Sequence, residues 1–120
     1  MAPTRAAKPD PAEDPLATLG RYAGPATLIL SSLAGGAKHG YALTKDIEGF
    51  AGVRLAPGTL YEALSRLVSQ GLIEALESQD RRRPYQLTAT GVSALRAQLD
   101  VQRRIADLGL ARLDTEWRPA

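Results

Sequence analysis

The chain has 120 residues, 44% apolar and 23% charged, which suits one compact domain with a modest core. No apolar run approaches the roughly 18 residues that cross a bilayer. The lack of any cysteine excludes disulfide frameworks, thiolate zinc sites, iron–sulfur clusters and cysteine nucleophiles.

The first stretch, MAPTRAAKPDPAEDP, holds four prolines and almost no large apolar side chain, so residues 1–20 are expected as a disordered or loosely ordered tail. It lacks the continuous apolar segment of a secretory signal, and with no cysteine this fits a cytoplasmic chain. A basic arm using Arg5 and Lys8 on nucleic acid is a further use of such a tail. From Gly24 the run PATLILSSLA sets Ala26, Ile29, Leu30 and Leu33 at helical spacing, with Pro25 in the first turn and Gly35 and Gly36 as the stop. In HGYALTKDIEGF, Leu43, Ile47 and Phe50 recur on one face of a second helix. PGTLYEALSRLVSQGL then starts sharply at Pro57 and Gly58, carries Leu60, Leu64, Leu67 and Val68 as an apolar stripe, and ends at Gly71.

LIEALE reads as a strand, SQDRRR as a polar hairpin tip, and PYQLT as the returning strand with Tyr85 and Leu87 on one face. Pro84 lacks an amide donor, so it is expected to face away from the ladder. Thr88 or Thr90 can cap a last helix bearing Val92, Leu95, Leu99, Val101, Ile105, Leu108 and Leu113. Gly91 stands where a capping box would need an acid. The fold is therefore expected to be mainly α with a small β-hairpin: a winged helix-turn-helix over 21–88, a long C-terminal helix over 89–116 and a tail over 117–120.

Charge placement says more than the net +2. Between Asp80 and Arg104 stand Arg81, Arg82, Arg83, Arg96, Arg103 and Arg104 against Asp80 and Asp100, which suits an anionic partner and equally a solvated surface run. Position decides in favour of DNA, because a winged helix-turn-helix inserts its second motif helix in the major groove and braces it with the first. The inserted helix would begin at Pro57 and Gly58 and expose Thr59, Tyr61, Ser65 and Arg66, the last able to take a guanine bidentately. Glu62 is the awkward member, repelling phosphate unless it accepts from a cytosine amine. Arg81, Arg82 and Arg83 would lie along phosphates or reach the minor groove, with Tyr41, Lys38 and Lys45 added from the preceding helix and its flank.

Three segments carry a family resemblance: LILSSLAGGAKHGYALTKDIE, LAPGTLYEALSRLVSQGLIE and RRRPYQLTATGVSALRAQL. They resemble the PadR family of winged-helix transcriptional regulators from about Pro25 to Leu113, with His39-Gly40-Tyr41 and Pro57-Gly58-Thr59-Leu60-Tyr61 the most specific strings. The resemblance implies homodimers formed through the C-terminal helix, palindromic operators on double-stranded DNA, frequent repression of neighbouring genes, and in some members a small-molecule effector near the dimer interface. A single Tyr85 after Pro84 replaces the paired tyrosines usual in that strand. Trp117 lies beyond the region where related short members stack a tryptophan on flat ligands, so that role is not carried over, and Trp117 reads as a tail residue covering the dimer surface.

Dimerisation also follows from the last helix itself. Leu95 and Leu99 form one stripe with Val92, while Val101, Ile105 and Leu108 continue on a rotated face, more than one small body can cover. Gln102, Ala106 and Gly109 break the register of a long regular coiled coil. The alternatives are a monomer with this helix folded back, and a winged helix that binds another protein instead of DNA. No catalytic residue, metal ligand or cofactor is assigned. His39, the single histidine, has no carboxylate or nucleophile nearby in sequence and reads as a cap or packing residue.

Overall fold

The computed structural model describes residues 15–78 and 80–120. The elements run α1 (Pro15–Leu33), β1 (Lys38–His39), α2 (Gly40–Ala51), α3 (Pro57–Ser69), β2 (Ile73–Ala75), β3 (Pro84–Leu87) and α4 (Ala89–Thr115). Of the expected tail, residues 1–14 lie outside the described residues, whereas 15–20 are helical. The first helix thus begins well before Gly24, and Pro25 lies inside it, not in its first turn.

The helix pair and wing close on one core. Ile29, Leu30 and Leu33 of α1 meet Leu43 and Ile47 of α2, Leu60, Leu64 and Leu67 of α3, and Ile73 and Leu95. Ala26, Phe50, Val68 and Val92, expected in these stripes, are exposed instead. The sheet has three strands in the order β1-β3-β2, all antiparallel, because the pair Lys38–His39 adds an edge that has no hydropathy period to announce it.

Pro84 corrects an expectation. It opens the central strand, opposite His39, and its carbonyl accepts from the Leu76 amide (2.8 Å). In a hydrogen-bonded antiparallel pair the return bond would run from residue 84 to the Leu76 carbonyl, and proline has no proton for it. The Arg83 guanidinium donates to that carbonyl instead (3.1 Å). A first-residue proline in a central strand is thereby tolerated.

Helix ends set the geometry of the whole. Gly71 adopts φ 76° and completes a Schellman stop after α3, with Leu72 N–H donating to Leu67 and Gly71 N–H to Val68. Thr88 caps α4: its hydroxyl accepts from the Gly91 amide (3.0 Å) and donates to the Gly71 carbonyl (2.6 Å). Gly91 lies against the Leu72 carbonyl so closely that a Cβ there would collide with backbone. The start of α4 is therefore pinned to the turn that ends α3. Beyond Leu95 no α4 residue is buried, and the molecule measures 58 × 29 × 28 Å.

Candidate nucleic-acid interface

The amphipathic pattern of α3 orients it. Leu60, Leu64 and Leu67 are buried, so Gly58, Glu62, Ser65 and Arg66 face solvent. Pro57 stands at the first turn with no side chain capping the amides above it. Of the expected contacts, Pro57, Gly58, Thr59, Tyr61, Ser65 and Arg66 are all exposed.

They divide into two groups. On one flank, Thr59 and Arg66 line a groove of about 220 Å³ with Pro25 and Ala26 of α1. Arg66 belongs to the last turn of α3, and its Nη2 lies 3.9 Å from Glu62 Oε2, both side chains being largely exposed. Such a pair is worth less than about 1 kcal/mol, so water or a base can displace it readily. On the other flank, Tyr61 turns toward the wing. Its ring and hydroxyl lie on Gly40, where any Cβ would collide with them, so the bare backbone at the start of α2 seats the tyrosine.

The second group converges on a cleft of about 300 Å³ between the wing and the starts of α2 and α3. His39, Tyr41, Tyr61, Tyr85 and the arginines Arg81–Arg83 line it, with no carboxylate among them. Tyr41 is 65% exposed and Lys45, one turn on, is also exposed, so α2 offers both outward. Asp80 and Arg81 take φ 51° and 66°, the left-handed conformation of a tight hairpin turn. Arg81 and Arg82 project from it, while Arg83 is already engaged with Leu76.

Lys38 is the member that does not join. Its ammonium donates to the carbonyls of Ser32 and Gly36 at the end of α1, and lies 3.9 Å from Asp46 Oδ2. Asp46 in turn accepts from the buried Ser32 hydroxyl (2.6 Å). The cation thus serves a helix C-terminus, where carbonyls favour positive charge. Sequence reasoning missed the placement of His39 and Tyr85 in the cleft. Only the β1–β3 pairing brings them there, and two-residue β1 leaves no periodic trace.

On α4, Leu99, Val101, Ile105 and Leu108 are exposed at 39%, 41%, 65% and 52%, and Leu95 alone of the expected interface is buried in the body. Trp117 is 60% exposed and borders a shallow apolar cleft with Gly109 and Leu113. Among the described residues no helix is long and apolar enough to cross a membrane, and no three His, Asp or Glu side chains gather as a metal site.

Residues 29–97 match the profile of the transcriptional regulator PadR-like family. A 37.1 kDa protein of a Streptomyces fradiae transposon is 42% identical over 79 residues, which is 66% of this chain but 23% of that protein, so the chain spans about a quarter of that relative. Among solved structures, a PadR family transcription regulator from Clostridium difficile matches with TM-score 0.68 at 29% identity, covering 74% of this chain and 97% of that one. Another from Eggerthella lenta matches with TM-score 0.67 at 28% identity, covering 85% and 91%.

Proposed function

The chain belongs to the PadR-like family of transcriptional regulators, and on that premise we propose that it binds a palindromic operator as a homodimer and represses transcription. The observation that carries the reading is the outward polar face of α3, flanked by an acid-free cleft of arginines and tyrosines. Helix α3 enters the major groove, the exposed Ser65 and Arg66 reach base edges, and Arg81 and Arg82 neutralise flanking phosphates. The paired protomers set two such helices about 34–36 Å apart, one DNA turn.

The unpartnered half of α4 supports the homodimer. Arg96, Asp100, Arg103, Asp107 and Asp114 form one charged stripe, and exposed leucine, isoleucine and valine occupy much of the remaining surface. A second copy covers that surface at the expense of water. A small-molecule effector that changes the angle between protomers would displace one α3 from its half-site and release the operator. Unchanged distances between spin-labelled α3 helices across a panel of effectors that alter operator affinity would refute this mechanism.

Selection of bound fragments from random DNA tests the central reading. The expected outcome is a palindromic consensus, with affinity falling steeply as salt rises, by a log–log slope of about −0.9 per neutralised phosphate. A winged helix serving only as a protein-interaction module would yield neither the consensus nor the slope.

A further inference from the structure

His39 is the N-cap residue of α2, and its ring stands between two hydrogen-bond donors. Nδ1 accepts from the Ala42 amide (3.4 Å), and Nε2 lies 3.4 Å from Arg82 Nη1. A neutral imidazole carries one proton and one ring lone pair, so it can accept from only one of them. The amide is held by the helix backbone, whereas Arg82 is an exposed side chain of the wing. The lone pair therefore serves the cap, and the proton resides on Nε2. Nε2–H and the Arg82 guanidinium then face the same space as two donors that lack a shared acceptor.

The surroundings ask for an anion there. No carboxylate lines the cleft on the side of Tyr41 and Tyr61; the wing's own acid, Asp80, borders the adjoining cleft, which His39 and Arg82 line as well. Arg83 is engaged with the Leu76 carbonyl and leaves Arg81 and Arg82 to the cleft. Tyr41 and Tyr61 border the same space, and a tyrosine hydroxyl can donate to a further oxygen of the ligand.

We propose that His39 and Arg82 together grip a single backbone phosphate of bound DNA, seated between the wing and the start of α2. This rests on the DNA-binding reading above and adds a contact residue to it. A phosphate oxygen has the lone pairs to accept from both groups, and gripping it fixes the wing to the helix pair only when DNA is present. The imidazole supplies a hydrogen bond without net charge. Arg82 supplies a charge as well, so the two residues leave different signatures in salt.

The test uses the full chain, with fluorescence anisotropy on a random-sequence duplex and on a selected operator duplex across a salt series. His39→Asn keeps a capping oxygen near the place of Nδ1 and removes the Nε2 donor. His39→Gln keeps a distal donor and weakens the cap. The expected result is a three- to tenfold loss for H39N, equal on both duplexes, at an unchanged salt slope and Tm. H39Q binds closer to wild type despite a lower Tm. Arg82→Ala loses about one phosphate contact from the slope, and the double variant H39N/R82A binds within about 1.5-fold of R82A, because both residues serve one phosphate. Wild-type affinity in H39N, or losses that multiply in the double variant, would overturn the clamp while leaving DNA binding intact. Binding of inorganic phosphate to the cleft with no change in duplex affinity in H39N would likewise overturn it, as a free-anion site. Absence of any duplex binding by the wild-type chain would defeat the DNA reading itself.

Discussion

Lys38 and Arg83 look alike in sequence to the cations of a DNA contact, yet each donates to main-chain carbonyls of the fold. Lys38 serves the end of α1, and Arg83 replaces the proton that Pro84 lacks. Lys38→Met should therefore lower stability by about 1–2 kcal/mol, the worth of charged hydrogen bonds at a partly buried site, while DNA affinity stays within about twofold. Urea denaturation beside anisotropy separates the two effects, and a large affinity loss at wild-type stability would assign Lys38 to the interface. Gly91 is the other residue whose role is geometric. A Cβ there meets the Leu72 carbonyl, which is backbone and cannot swing aside, so Gly91→Ala should cost about 1–3 kcal/mol, seen as a lower denaturation midpoint.

At the scale of elements, the wing is a short hairpin that holds arginine where glycine or asparagine would be more comfortable. Arg81 at φ 66° carries about 1–2 kcal/mol of left-handed strain, and it places a cation at the tip. Arg81→Gly should raise the melting temperature and weaken every duplex, whatever its sequence. A variant that is both less stable and unchanged in binding would show that the tip has no role in DNA contact. Arg66→Ala tests the helix instead. Removing a base contact costs about 1–3 kcal/mol of discrimination at one operator position, read as a broadened consensus, while random-sequence affinity falls little. The existence and order of α2, α3, β2, β3 and α4 are legible in the chain, because buried leucines recur every three or four residues and Gly71 and Thr88 mark ends. The start of α1 is not, since Pro25 reads as a first-turn residue and lies inside the helix.

Over the whole molecule, the proposed pairing turns on the length of α4. Twenty-seven residues make a rod of about 40 Å, and the body holds only its first part, through Gly91 and Leu95. Leu99→Asp and Ile105→Asp should each yield monomers in sedimentation, with an operator affinity loss of tenfold or more as the bivalent linkage disappears. Stable dimers in both variants would place the interface elsewhere. The capping of α4 by Thr88 against Gly71 aims this rod from the end of α3, which ties α3 mechanically to the surface proposed for pairing.

Local pattern was enough to specify the helices, the hairpin and the apolar surplus of α4, because each depends on spacing within one stretch of chain. Which arginines are free, why Gly40 and Gly91 must lack a side chain, and how His39 comes to face Arg82 depend on contacts between residues far apart in the chain. Those contacts form only when the core closes and β1 pairs with β3, a juxtaposition that no one-dimensional period encodes.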